Sequence, residues 1–340
     1  MLMADKFWDN YPGPTLYDSI TSYFIGDTTK PPYVLDSYTD SAIINRSAHT
    51  INNISYIYNE YIIYNNDIPL LIKKQIMTAF NLYDIYVEDN TIILTLCGQN
   101  GELMGIIAAK PYGKVRRNYL QKEMNEPLHY IDYFWTHPTK RGHGLGNFLL
   151  NAIFKKIKSQ HYSSKLAPVI FLKEGKPLSK LIPPLYTSTY IYKYIIGEDN
   201  NNIRFINNKM CEQIISKWIG NNTDQLYQSL NINMTNRYII LWRNKAIYYI
   251  TIPNQYGPNG KDKIAWITGM ITVPNFKDHN IALEETAKYA AYYCETKYVW
   301  TDSQFLQTVD SKWNIDGIFH LYAFQWNPIV FGARLNGFLT

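Results

Sequence analysis

Cysteine is scarce. Cys97, Cys211 and Cys294 are the only three in the chain. An odd number, widely spaced and without a Cys-x-x-Cys pair, indicates neither a disulfide framework nor a zinc site. The seven histidines include no His-Glu-x-x-His or other ligand pair, so no metal is expected. No apolar run reaches the roughly 18 residues of a membrane span. Met1–Lys6 lacks an apolar signal region. Charge is also thin: the net value of +5 is mild and scattered. It suits a phosphate-bearing ligand and is too weak to argue for nucleic acid. These absences point to a soluble protein of a reducing compartment, the cytosol, with no transmembrane segment.

What is abundant is apolar and aromatic. The 340 residues are 46% hydrophobic and include 30 tyrosines. That length allows one large or two ordinary domains with a full core. The Tyr, Ile and Asn bias reads as codon composition from an A/T-rich genome, not as chemistry.

One stretch stands out, Tyr130–Ile157. Tyr130 to Thr136 is aromatic and β-branched, interrupted only by Asp132, which suits a mostly buried strand. His137-Pro138, Gly142, Gly144 and Gly146 punctuate it. Leu145, Leu149, Ala152, Ile153 and Ile157 then recur at helical spacing, with Asn147, Asn151, Lys155 and Lys158 opposite. Backbone N–H groups are therefore bared at a helix start beside a strand end, a place for an anion such as a pyrophosphate.

Around this stretch the chain reads as follows. Phe7-Trp8 and Pro12-Gly13-Pro14 suggest an N-terminal arm that pins two aromatics onto the body. Ile51–Asn66 fits a helix or a strand, and Leu70–Leu82 a helix. Tyr83–Cys97 and Leu103–Ala109 read as strands, and the basic run Lys110–Pro127 as an exposed loop. Ala167–Leu172 and Tyr186–Ile196 follow as extended segments. Gly197–Asn202 is the best linker, dividing residues 1–196 from 197–340. Beyond it, Asn208–Leu230 reads as a helix, and Tyr238–Trp242 and Ala246–Ile252 as a hairpin. Ile264–Val273 is a strand, Ile281–Thr296 a helix, and Tyr298–Thr301 and Phe319–Phe324 further strands. Both halves run strands and then strand–helix–strand, and only the first carries a glycine turn.

Arg141-Gly142-His143-Gly144-Leu145-Gly146 fits Arg/Gln-x-x-Gly-x-Gly/Ala. It resembles the acyl-CoA pyrophosphate loop of the GNAT acyltransferase superfamily, although a plain glycine-rich strand-to-helix turn would give the same six residues. The wider context resembles one branch, the N-myristoyltransferases. Phe7–Pro14 is similar to that family's Phe-Trp-Asp-x-x-Pro-x-Pro, and Ile131–His137 to Ile-Asn-Phe-Leu-Cys-Val-His. Thr187–Lys193 resembles Thr-x-x-Tyr-Trp-His-Arg, and Lys312–Gly317 is a shortened Lys-Phe-Gly-x-Gly-Asp-Gly. Gly337–Thr340 is similar to the family's apolar end. The compact length suggests a viral or otherwise reduced member.

The resemblance implies an α+β fold of two pseudo-related GNAT-like lobes around a continuous, mostly antiparallel twisted sheet. The first lobe would bind acyl-CoA, and the second would form a peptide groove. It implies transfer of an acyl group, by default from myristoyl-CoA, to the N-terminal glycine of a peptide or protein by a monomer. The Tyr133 and Phe134 N–H groups would hold the thioester oxygen, and the Thr340 carboxylate would take the ammonium proton. Phe7, Trp8, Trp135, Thr136 and Arg141 to Gly146, with His143 and Leu145, would contact the acyl-CoA. Tyr61, Asp132, Tyr190, Tyr192, Tyr249, Asp302 and Leu339 would line the peptide site. In a chain with 30 tyrosines, plain packing competes with that role for each Tyr.

Some positions depart from the family. Asp132 replaces an Asn, adding a charge that could hold a glycine ammonium. Tyr192 replaces a His. Asn65-Asn66-Asp67 stands where relatives carry an acidic cluster. Trp135 replaces a Cys, and a tunnel narrowed by an indole would favour acyl chains shorter than fourteen carbons. Two other functions fit the same residues: a GNAT acetyltransferase or shorter-chain acyltransferase acting on an amine or a protein N-terminus, and a silent acyl-CoA or peptide-binding protein.

Overall fold

The computed structural model describes residues 50–51, 54–63, 67–85, 87, 89–119, 122–160, 169–177, 184, 186–219, 225–228 and 236–324. The expectations for Phe7, Trp8, Leu339 and Thr340 lie outside these residues.

The strands are β1 (Thr50–Ile51), β2 (Ile54–Ser55), β3 (Ile57–Ile63), β4 (Thr91–Cys97), β5 (Leu103–Tyr119), β6 (Lys122–Thr136), β7 (Val169–Glu174) and β8 (Tyr186–Tyr194). They continue with β9 (Ile203–Phe205), β10 (Gln225–Gln228), β11 (Arg237–Trp242), β12 (Ala246–Thr251), β13 (Ile264–Thr272), β14 (Tyr298–Asp302) and β15 (Asn314–Phe324). The helices are α1 (Leu70–Phe80), α2 (Leu145–Gln160), α3 (Asn208–Ile219) and α4 (His279–Tyr293).

Apart from the small β1–β2 hairpin, these strands make one 13-stranded sheet. Its order is β3-β4-β5-β6-β7-β15-β8-β14-β13-β12-β11-β9, with β10 added beside β5. The fold is thus a mixed, mostly antiparallel twisted sheet with few helices. Only β6/β7 and β13/β14 run parallel. Parallel neighbours need a long crossover, and α2 and α4 supply one for each pair. The two parallel junctions flank a centre made of β15 and β8, strands more than a hundred residues apart in the chain.

The sheet is covered on both faces, and the strand sequences say why. Successive side chains point to opposite faces, so a strand buried on both sides reads as an unbroken apolar run. In β4, Ile92, Leu94 and Leu96 pack with Leu149, Ile153 and Ile157 of α2. Ile93 and Cys97 pack with Ile72 and Ile76 of α1 on the other face. In β12, Ala246, Tyr248 and Ile250 meet Leu283 and Ala287 of α4. Ile247 and Tyr249 meet Cys211 and Ile215 of α3. Gly105 allows the close approach of α2, since a Cβ there would lie 2.9 Å from Leu149 Cδ1.

Four segments differ from the sequence reading or resolve it. Ile57–Ile63 is a strand, settling the ambiguity of Ile51–Asn66. Lys110–Pro127 is not a loop but the outer part of the long β5–β6 hairpin. Its proline and charges suggested a loop, and a register shift between Pro111 and Gly113 accommodates the proline. The described helix from Asn208 runs to Ile219, and Gln225–Gln228, expected to continue it, pairs with β5 instead. The Gly197–Asn202 segment is pinned to α4: Glu198 N–H donates to Lys288 O at 3.2 Å, and Lys288 Nζ lies 2.9 Å from the Glu198 carboxylate.

Candidate functional site

The site begins where β6 leaves β7. The two strands pair only from His129↔Val169 to Ile131↔Phe171. Beyond that, β6 continues along β5 while β7 continues along β15. The parting opens a cavity of about 710 Å³. Tyr130 to Phe134 form one wall, and Phe171 to Glu174 form another. The far wall comes from the second half of the chain and includes Asn236, Arg237, Trp266, Trp300 and Asp316. Leu82 bridges Gln255, and Tyr83 N–H donates to Asn254 O at 3.0 Å, tying the two halves at the rim.

A β-bulge shapes the first wall. Between the pairs Ala108↔Asp132 and Ile106↔Trp135, Tyr133 and Phe134 together oppose Ile107. Tyr133 takes φ 48°, the left-handed region that a bulky residue rarely enters. The extra residue turns Tyr133 and Trp135 toward the α1 side, while Phe134 faces the α2 side. Tyr133 packs edge-on to Phe80 with centroids 5.3 Å apart. Asp132 holds the turn locally, since its Oδ1 accepts the Tyr133 N–H at 2.8 Å.

Asp132 is also ion-paired. Lys110 Nζ, on β5, lies 2.5 Å from Asp132 Oδ2 and 4.5 Å from the Tyr133 ring centroid. Lys110 lines the cavity and was missed by sequence reading, which placed it at the start of the basic loop. The usable signal was a lone lysine closing the apolar run Leu103–Ala109.

The glycine turn leads out of the same strand end. After β6 comes a short 3₁₀ turn, Pro138–Lys140, capped by His137, whose Nδ1 lies 2.9 Å from Thr139 Oγ1. Arg141 Nε donates to Thr136 O at 3.3 Å. Gly142 and Gly144 hold φ of 80° and 81°, which glycine alone adopts without cost. Leu145 then opens α2, whose first turn contains no acidic residue to compete for an anion. The first N–H groups of any helix lack intrahelical acceptors, and its dipole favours negative charge there. Gly146 lies in that first turn, and His143 is half-buried just ahead of it.

The remaining expected residues are spread more widely. Asp132, Tyr133 and Phe134 line the cavity. Trp135 joins the core under α1, edge-on to His137 at 5.6 Å, and Tyr61 packs against the same cluster. Tyr192 stacks on the cavity-lining Trp300, with centroids 4.7 Å apart and planes at 17°. Tyr190 is buried behind the wall, edge-on to Trp266 at 5.2 Å and to Phe319 at 4.6 Å. Tyr249 faces α3, its hydroxyl 3.4 Å from Cys211 Sγ. Asp302 is buried at the end of β14 and accepts the Gln304 N–H at 2.8 Å.

Trp266 and Asn236 carry a further signal. Trp266 Nε1 and Asn236 Oδ1 are buried and have no hydrogen-bond partner among the described residues. Among those residues no group of three His, Cys, Asp or Glu could hold a metal, and no helix is long and apolar enough to cross a membrane.

Comparison with known proteins places this architecture. Residues 59–169 match the model of the acetyltransferase (GNAT) family. The sequence matches no curated protein. The structure is similar to that of Saccharomyces cerevisiae N-myristoyltransferase with bound myristoyl-CoA, at TM-score 0.58 and 11% identity over 96% of this chain and 94% of that one. A second structure of the yeast enzyme, with myristoyl-CoA and inhibitors, gives TM-score 0.58 and 12% identity over 96% and 91%. At such identity the likeness is one of fold. The chain therefore has the GNAT-like fold seen in the N-myristoyltransferases, with its GNAT-matching segment spanning β4, β5, β6 and α2.

Proposed function

We propose that the protein transfers a fatty acyl group, by default myristoyl, from acyl-CoA to the N-terminal glycine amine of a peptide. The observation that carries this reading is the parting of β6 from β7. It puts the bulge at Tyr133–Phe134 on a cavity wall, and the same strand end runs on into Gly142, Gly144 and the start of α2. A phosphate-binding turn and a polarising backbone thus follow one another in the chain, as transfer from a CoA thioester requires.

The chemistry needs no side-chain nucleophile. Arg141 and the backbone of Gly142–Gly146 hold the pyrophosphate of the donor. The thioester carbonyl lies against the bulge, where backbone N–H groups take up the developing oxyanion charge. Tyr133 N–H is held by Asp132 Oδ1, so it serves the oxyanion by exchanging that partner. The acceptor ammonium gives one proton to a base, and its neutral nitrogen attacks the thioester carbon. The C–N bond forms, the C–S bond breaks, and the second amine proton leaves with the thiolate as CoA-SH.

Two features of the far wall support a peptide acceptor over a small amine. Among the described residues Trp266 offers an unpaired donor and Asn236 an unpaired acceptor. An extended peptide backbone presents the complement of both.

The test is direct. A glycine-starting peptide is incubated with the protein and acetyl-, octanoyl- or myristoyl-CoA, and the peptide mass is read. A myristoyl gain at the amine is the expected result. Preference for octanoyl would favour the shorter donor suggested by Trp135, an acetyl gain would favour an acetyltransferase, and no gain with any donor would defeat the reading. Within the same assay, Gly144→Ala should raise the KM for acyl-CoA about tenfold, since a side chain in the left-handed region costs about 1–2 kcal/mol. An unchanged KM would remove the turn from the donor site.

A further inference from the structure

We propose that Lys110 is a positioning residue for the transfer reaction, pairing with Asp132 and fixing its orientation beside the bulge. The inference rests on the acyl-transfer reading above. By itself an aspartate on this wall would attract the acceptor's ammonium. Here one carboxylate oxygen is already taken by Lys110 and the other by the Tyr133 N–H. The lysine is well placed to hold it, because its side chain is only 12% exposed and its ammonium also sits over the Tyr133 ring. The backbone bond and the ring contact fall on Tyr133, the residue at φ 48°, and the ion pair falls on its neighbour Asp132.

The consequence is chemical. An unpaired carboxylate near the acceptor would stabilise its ammonium and make the attacking neutral amine harder to form. Lys110 cancels that charge and anchors the carboxylate through Oδ2, so Oδ1 can release the Tyr133 N–H to the oxyanion without turning to the acceptor. The acceptor then meets a neutral pair, and its amine is not held in the protonated form. The other charged groups on the cavity wall are Lys173, Glu174, Arg237 and Asp316. Lys173 Nζ is engaged by the Glu174 and Lys176 carbonyls, and Asp316 accepts a hydrogen bond from Trp300. None of these is in the ion pair with Asp132.

The experiment compares wild type, Lys110→Met, Lys110→Arg and the double variant Lys110→Met with Asp132→Asn. Each is assayed for kcat against pH at saturating glycine-starting peptide, and for the KM of acyl-CoA. Lys110→Met should lower kcat about tenfold near neutral pH and move its acid limb up by about one pH unit, as an unpaired carboxylate does to the amine bound beside it. Lys110→Arg keeps the charge and should retain the wild-type limb. The double variant leaves a neutral side chain whose oxygen can still accept the Tyr133 N–H. It should therefore recover both rate and limb, which a merely structural loss would not allow. A Lys110→Met profile identical to wild type overturns the proposal, and so does a double variant as impaired as the single one. If wild type transfers no acyl group to the peptide, the underlying reading fails and this inference falls with it. Activity in wild type with no change in Lys110→Met defeats this inference alone.

Discussion

Asp302→Asn stabilises the fold at pH 8 and leaves it nearly unchanged at pH 4: this is the expected result of a buried carboxylate without a cation. Asp302 is 3% exposed, and among the described residues no lysine or arginine pairs with it. Burial pushes its carboxyl up from the ordinary 3.8 to about 7, against a smaller opposing pull from the Gln304 N–H. The folded state therefore holds the proton more tightly than the unfolded chain. Stability from this group is complete below about pH 4 and is lost as pH rises through about 7. At ~1.4 kcal/mol for each tenfold in proton affinity, the loss approaches about 4 kcal/mol. Asparagine keeps the oxygen that caps the Ser303–Phe305 turn and has no charge to desolvate. Urea unfolding at both pH values checks it. Wild type and variant losing stability in parallel between pH 4 and pH 8 would show that another group titrates.

A second large effect is expected from Gly197→Ala. A Cβ at this position would lie 2.5 Å from Tyr292 N and 2.6 Å from Tyr292 Cα, in the last turn of α4. Both are backbone atoms, so no side-chain rotation relieves the clash. Either the helix end or the chain leaving β8 must move, at about 3 kcal/mol, the upper part of the usual overpacking range. Gly101 is the control. It has φ 82° with nothing within 4 Å of a Cβ, so Gly101→Ala should cost only the conformational penalty of about 1–2 kcal/mol. Equal losses in the two variants would mean that the Gly197 contact gives way freely.

Gly197 also illustrates what a sequence shows and what it hides. The polar run Gly197–Asn202 has the composition of a flexible linker. Its restraint comes from Lys288 and Tyr292, about ninety residues later in the chain. Lys110 was hidden in the same way. In sequence it opens a basic run, and only the β5–β6 register brings it to Asp132. By contrast, the strand ending near Thr136, the glycine turn and the helix from Leu145 were all legible, because each depends on neighbours a few residues away. Ile131 to Phe134 line the cavity wall, and nothing in their sequence shows the bulge there. Tyr133 and Phe134 look like two ordinary members of an alternating strand until the partner Ile107 is known.

The sequence by itself determined many of the local elements: runs that extend, runs that coil into helix, and the place where glycines turn the backbone into α2. These follow from side-chain branching, periodicity and left-handed φ, all short-range properties. The tertiary structure decided which strands are neighbours, which face each residue of β6 presents, and which charge answers Asp132. Those outcomes depend on register between segments far apart in the chain. One extra residue on one strand reverses the faces that follow, and no single segment carries that information.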